Sequence, residues 1–217
     1  MSVDLNLSDR VIEAALALAP AKGWRRLTLA DVAEEAGIGL AAMYAIYPSR
    51  RALLSGLLRY VDTRVLDEGV AAADQSTRER LFEIVMRRFD VLQAHRLGFT
   101  EILRELVFDP LSLLPAAPDF ARSMTWMLEA AGVSTAGLPG NLRVKGLAAV
   151  YLNTLRIWIG DESVDQARTM AALDRGLREL EGIGRRLPGF DADWAAQAAP
   201  NPPPGSGSRP GDSTVAP

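Results

Sequence analysis

The chain has 217 residues, is 48% hydrophobic and 24% charged, and carries a formal net charge of −3. This balance suits a water-soluble chain that buries a core in one or two helical units, and it excludes a uniformly basic nucleic-acid binder. With no cysteine and one histidine, His95, it also excludes disulfides, thiolate nucleophiles and the usual zinc ligand sets. The opening MSVDLNLSDR lacks the apolar core of a secretory leader, and no run of ~18 apolar residues occurs that could span a bilayer. The expectation is a cytoplasmic protein without stable membrane insertion.

Taken in order, Ser8 or Asp9 is placed to cap a first helix whose stripe is Val11, Ile12, Ala15, Leu16 and Leu18, ending near Pro20. Gly23 and Trp24 form an elbow, with Trp24 expected in the core. Thr28 and Asp31 are spaced as a capping box for a second helix carrying Leu29, Val32, Ala33 and Ala36. Gly37 is the expected stop. An apolar beat resumes at Leu40, Met43, Tyr44 and Tyr47, predicting a short helix over 39–46 after a turn of a few residues, the spacing of a helix-turn-helix. Pro48 ends that helix, and Ser49 caps another that starts at Arg50 and carries Leu53, Leu54, Leu57, Leu58 and Val61 towards Gly69. Between Lys22 and Arg64 seven basic residues face four acids, a modest local excess of positive charge.

The segment 71–77 is small and polar and reads as a seam. Ser76 and Glu79 open the next helix, with Leu81, Ile84, Val85, Phe89 and Leu92 on one face. A helix over 99–108 is stopped by Asp109-Pro110. Pro115 and Pro118 bracket a loop before a helix carrying Phe120, Met124, Met127 and Leu128, which ends at Gly132. Two helices are predicted last, over 142–159 and, after a capping box of Ser163 with Gln166, over 164–183. Beyond Pro188 the chain is Pro-, Gly- and Ser-rich, a composition that cannot offset its own chain entropy, so a disordered tail is expected over 188–217. No β alternation intervenes. The fold class is all-α: a three-helix helix-turn-helix domain over 8–70 and a larger helical domain over 76–186.

Catalytic constellations are absent. His95 beside Arg96 fits a helix end, where a cation complements exposed carbonyls, and adjacent pairs such as Glu34-Glu35 or Asp161-Glu162 diverge on a helix and belong to solvated faces. No phosphate-cradling glycine loop, serine elbow or HExxH occurs. No catalytic residue, metal site or cofactor is expected. A recognition helix instead presents its N-terminal residues to base edges while flanking groups hold phosphates. Here Leu40, Ala41 and Ala42 lead the short helix over 39–46, Thr28 would offer its hydroxyl and a helix N-terminus to phosphate, Tyr44 would extend a hydroxyl from the groove-facing side, and Arg50 stands at the start of the next helix.

The run TLADVAEEAGIGLAAMYAIYPSRRALL resembles the helix-turn-helix of TetR-type transcriptional regulators. The likeness rests on Thr28, Val32, Ala33, Ala36, Gly37, Tyr44, Pro48, Ser49 and Leu53, with Arg50 in place of a lysine, and with the Gly23-Trp24 elbow it covers 9–60. It implies a homodimer that binds double-stranded DNA, phosphate contacts at Thr28, Tyr44 and Arg50, and a C-terminal domain that dimerises through its last two long helices. It also implies a pocket for a small apolar or amphipathic ligand, for which Phe99, Leu103, Phe108, Met124, Met127, Tyr151 and Trp158 are the candidate lining. The chain departs from the pattern at Gly39-Leu40-Ala41-Ala42 and at Ala45, because Ala, Leu and Gly cannot make the bidentate hydrogen bonds that distinguish bases.

A second likeness covers 143–180. Its A-A-x-Y-x-x-T stretch and Asp161-Glu162-Ser163 turn resemble the lipid-binding accessory proteins of ubiquinone biosynthesis, which share the TetR-type fold and end in an amphipathic membrane helix. The Pro-, Gly- and Ser-rich tail stands at that place here, so the regulator reading comes first and the accessory protein is the alternative.

Overall fold

The computed structural model describes residues 5–71, 74–107 and 116–186. Among them are nine α-helices and no strand: α1 (Leu5–Lys22), α2 (Leu29–Glu35), α3 (Leu40–Ile46), α4 (Arg50–Asp67), α5 (Thr77–Ala94), α6 (Arg96–Val107), α7 (Ala117–Ala130), α8 (Gly137–Ile159) and α9 (Ala167–Gly184). The expected tail over 188–217 lies outside the described residues, as does Phe108.

The first helix begins earlier than its cap signals suggest. Ser8 and Asp9 lie inside α1, which runs through Pro20 to Lys22. Proline at that point has no N–H for the Leu16 carbonyl four residues back. The backbone of α6 fills the space: a Cβ on Gly98 would lie 2.3 Å from the Leu16 oxygen. Only glycine lets α6 cross α1 this closely.

The capping boxes at Thr28/Asp31 and Ser76/Glu79 form as expected, each with the side chain on the N3 amide and the N3 carboxylate on the cap amide. Ser49 caps α4 by accepting from the Ala52 amide at 3.1 Å. The box expected at Ser163/Gln166 does not form. Asp161 takes that place, accepting from the Ser163 amide and hydroxyl and from the Thr169 amide and hydroxyl, and α9 starts only at Ala167. Burial alone would raise the Asp161 carboxyl, but these hydrogen bonds outweigh it and hold the group well below the usual range.

The cation complementing helix-end carbonyls is Arg96 rather than His95. Arg96 begins α6 and donates to the carbonyls of Trp158 and Asp161 at 3.0 and 2.8 Å, closing the C-terminus of α8. His95 caps the C-terminus of α5, with its Nε2 3.0 Å from the Tyr60 hydroxyl.

One apolar core runs through the molecule. Val11, Ile12 and Ala15 of α1, Val32 and Ala33 of α2, Met43 of α3 and Leu53 of α4 join Ile84 and Phe89 of α5, Met124 and Met127 of α7 and Leu147 and Trp158 of α8 in it. Trp24 is buried, as its place at the elbow suggested. A buried polar knot sits where α4 meets α5 and α7. Arg88, 1% exposed, pairs with Asp62, which also accepts from the Ser123 hydroxyl at 2.6 Å, and the guanidinium lies 5.1 Å from the Tyr151 ring.

Candidate nucleic-acid interface

The helix-turn-helix is locked from behind. Gly37, at φ +64, supplies the left-handed residue that ends α2, and Arg10 of α1 donates to the freed Ala36 carbonyl at 2.6 Å. Met43 of α3 and Tyr47 at its C-cap point inward at 1% exposure each. The Tyr47 hydroxyl meets Ser8 Oγ at 2.6 Å, tying the end of α3 to α1. Burial pushes that phenol's pKa up, so it remains a neutral hydrogen-bonding group.

This anchoring divides the apolar beat of α3 into two faces. Leu40 and Tyr44, expected to share a beat with Met43 and Tyr47, are 62% and 72% exposed. Gly39, Ala41 and Ala45 are exposed beside them, and Ala42 is half-buried. The solvent face of α3 is thus Gly39, Leu40, Ala41, Tyr44 and Ala45, without a charged residue. It offers apolar surface and one phenolic hydroxyl, chemistry suited to thymine methyls and a phosphate oxygen rather than to bidentate base contacts.

Thr28 is exposed at the start of α2, but its hydroxyl already accepts from the Asp31 amide at 3.1 Å and its amide donates to Asp31 Oδ2 at 3.0 Å. The Asp31 carboxyl is lowered to about 2 by hydrogen bonds from Lys22 and Thr28, so it is ionised at neutral pH. Its charge stands beside the hydroxyl that would meet a phosphate. Lys22 Nζ, 2.7 Å away, offsets it.

Arg50 is placed differently from a free phosphate clamp. Its guanidinium donates to the carbonyls of Trp24 and Arg25, the latter at 2.8 Å, and lies 5.3 Å from the Trp24 ring. Two of its five N–H groups hold the elbow before α2 against α4. The side chain is exposed, so its charge still contributes to the field on this side. The hydrogen bonds of Ser8, Arg10 and Arg50 carry no signal in sequence spacing, since each joins residues 25 or more positions apart.

The pocket candidates are distributed over α6, α7 and α8. Phe99, Met124, Met127, Tyr151 and Trp158 are buried in the core, and Leu103 packs against it. Phe89 stacks on Tyr151 at 5.4 Å, with Phe120 on the same ring at 5.8 Å. Among the described residues, no group of His, Asp and Glu is placed to hold a metal ion, and no helix is long and apolar enough to cross a membrane.

Residues 11–57 match the family model of bacterial regulatory proteins, tetR family. Among solved structures, a TetR transcriptional regulator from Nitrosomonas europaea ATCC 19718 superposes with a TM-score of 0.64 at 23% identity, covering 82% of this chain and 99% of that one. A TetR transcriptional regulator from Rhodococcus sp. RHA1 gives 0.59 at 20% identity over 83% and 97%. A tetR-family transcriptional regulator from Streptomyces coelicolor gives 0.59 at 19% identity over 95% and 94%. No curated protein matches the chain significantly. Residues 11–57 therefore form the helix-turn-helix domain of the tetR family of bacterial regulatory proteins, and the described chain shares the all-α fold of the TetR regulators it superposes on.

Proposed function

We propose that this chain is a ligand-responsive transcriptional regulator, acting as a repressor, that binds double-stranded DNA as a homodimer. The observation that carries the reading is the two-faced α3: Met43 and Tyr47 are locked into the core while Leu40 and Tyr44 are held outward on a helix too short to bury them. Large apolar side chains fixed in solvent at a helix-turn-helix mark a contact surface. In this reading α3 enters the major groove with Leu40, Ala41 and Ala42 against base edges, while Thr28, Tyr44 and the charge of Arg50 serve the phosphates. The domains divide at the seam between α4 and α5, with 8–70 on the DNA side and 76–186 holding the ligand.

The ligand reading rests on Phe99, Leu103, Met124, Met127, Tyr151 and Trp158, a wall of aromatics and methionines able to repack around an apolar guest. Two polar atoms on these helices, Trp158 Nε1 and Thr100 Oγ1, are buried without a partner among the described residues. An amphipathic ligand with one polar group would supply what they lack. The lipid-binding accessory protein gains no support from the three solved structures above, each of which is a TetR-type transcriptional regulator.

The test is a binding titration over a salt series with DNA from the chain's own upstream region, against scrambled DNA of equal length. We expect tighter binding to the upstream DNA, and a modest sequence preference given the apolar α3 face. Arg50→Lys should keep the salt slope, because the charge stays, yet lower stability, because a lysine cannot bridge both elbow carbonyls. Equal, weak binding to both DNAs at low salt would remove the regulator reading.

A further inference from the structure

Away from the helix-turn-helix and the core, a groove of about 1140 Å³ runs between α5 and the first half of α9 with the loop before it. Its lining contains six carboxylates and only two cations, Arg78 and Arg87. Both cations are committed within the chain. Arg78 pairs with Asp174 at 2.7 Å and with Glu181 at 3.8 Å, and Arg87 pairs with Glu83 and, at 3.3 Å, with Glu68. Asp74, Asp90 and Asp165 are left without a cationic partner among the described residues. Six carboxylates against two cations leave the lining more negative than the −3 carried by the whole chain.

Acidity alone would describe a solvated surface. A second feature lies at the end of the groove. Gln166, only 7% exposed, is held at φ 52 where the chain enters α9, and its side chain lines the groove. Its Nε2 donates to Asp90 Oδ1 at 2.9 Å, which fixes the amide and turns Oε1 away from that carboxylate. Oε1 is buried and has no donor. A buried acceptor left without a donor is costly, and what it lacks is an N–H or O–H; beside unpaired carboxylates a cationic N–H is the donor the field favours. The groove is also partly apolar, with Phe82 and Met86 of α5 facing Met170 of α9.

We propose that this α5–α9 groove binds an amphipathic organic cation, whose ammonium or amidinium N–H reaches Gln166 Oε1 and Asp90 and whose apolar body lies across Phe82, Met86 and Met170. A metal ion does not suit the site: no described cluster of His, Asp and Glu is placed to hold one, and apolar side chains form much of the wall. The site is separate from the core residues assigned to the regulator's ligand and stands independently of DNA binding.

The experiment is isothermal titration calorimetry of the full chain with three probes of equal length: 4-phenylbutylammonium, its N,N,N-trimethyl analogue and 5-phenylpentanoate. The primary ammonium should bind saturably. The trimethyl analogue keeps charge and bulk but has no N–H, and should bind at least tenfold more weakly; the carboxylate should not bind. Asp90→Asn combined with Asp165→Asn preserves shape and the acceptor for Gln166, and should weaken the ammonium at least tenfold while leaving the circular dichroism unchanged. Absence of saturable binding by the ammonium at 1 mM, equal affinity for the trimethyl analogue, or unchanged affinity in the doubly substituted chain would each overturn the proposal.

Discussion

Asp31 shows how one residue can serve structure and bear on the interface at once. It closes the capping box that starts α2, draws Lys22 into an ion pair and leaves an ionised carboxylate beside Thr28. Hydrogen bonds from Lys22 and Thr28 lower its pKa from 3.8 to about 2. A group depressed on folding contributes stability that is complete above its unfolded value and is lost as pH falls through the folded one. Asp31 therefore contributes at neutral pH and stops doing so between about pH 4 and pH 2. We expect Asp31→Asn to melt lower than the parent at pH 6, and the difference to shrink as melts are repeated down to pH 2.5. A constant difference across that range would mean that the ionised carboxylate is not what holds the cap. The substitution should also tighten DNA binding in low salt, because it removes a negative charge next to the phosphate-facing hydroxyl.

At the scale of elements, local signals in the sequence were enough wherever the helix start depends on residues three apart. The boxes at Thr28 and Ser76, the cap at Ser49 and the glycine stops at Gly37 and Gly132 all stand where spacing placed them. Boundaries decided by distant partners were not legible. The Gly137-Leu138-Pro139-Gly140 stretch before Leu142 reads as loop, yet α8 begins at Gly137, because Pro139 falls in the first turn, where amides lack helical partners anyway. At α9, Ser163 and Gln166 have box spacing, but the buried Asp161 captures Ser163 and Thr169 first. The apolar beat of α3 did not by itself separate Leu40 and Tyr44 from Met43 and Tyr47; the helix-turn-helix reading, which turned Leu40 and Tyr44 outward, agrees with the exposure that the docking of Met43 and Tyr47 produces. The crossing of α1 and α6 gives the sharpest test of such a long-range constraint. A Cβ on Gly98 meets Leu16 backbone at 2.3 and 2.9 Å, whereas one on Gly182 of α9 meets nothing within 4 Å. In urea unfolding we expect Gly98→Ala to lose about 1–3 kcal/mol, since a helix must move to accept the methyl. Gly182→Ala should gain about 0.5–1 kcal/mol from helix propensity. Equal effects at the two positions would deny the close crossing.

For the whole molecule, the question is what covers the outer face of α8. Along the last two helices, through which the TetR likeness implies pairing, apolar residues recur at spacings of three and four; Val144, Ala148 and Met170 are half-buried, whereas Leu147, Tyr151, Leu155 and Trp158 on α8 and Leu173, Leu177 and Leu180 on α9 are buried within the single subunit. The buried set closes the subunit's own core and has no surface left to offer a partner. The opposite side of α8 carries a different stripe, in which Leu138, Leu142, Lys145, Ala149, Leu152 and Arg156 recur at alternating spacings of four and three and are all exposed. Leu138 is 86% exposed, and Leu142 and Leu152 are 44% each. An a/d-like apolar stripe on a long helix is the pattern that a second helix covers. Ile183, 57% exposed near the end of α9, adds to the exposed apolar surface of the last two helices. A two-fold axis beside α8 would place each stripe against its own copy, and so present two α3 helices to two half-sites on one DNA. In light scattering at micromolar concentration, we expect the parent to show about twice the 23.4 kDa of one chain. Leu142→Glu with Leu152→Glu should return the mass to a single chain without changing helix content, because neither side chain belongs to the subunit core. DNA affinity should fall with it, steeply for a two-half-site duplex and little for a single half-site. A parent that already scatters as one chain, or a doubly substituted chain that still scatters as two, would place the pairing surface elsewhere or remove it.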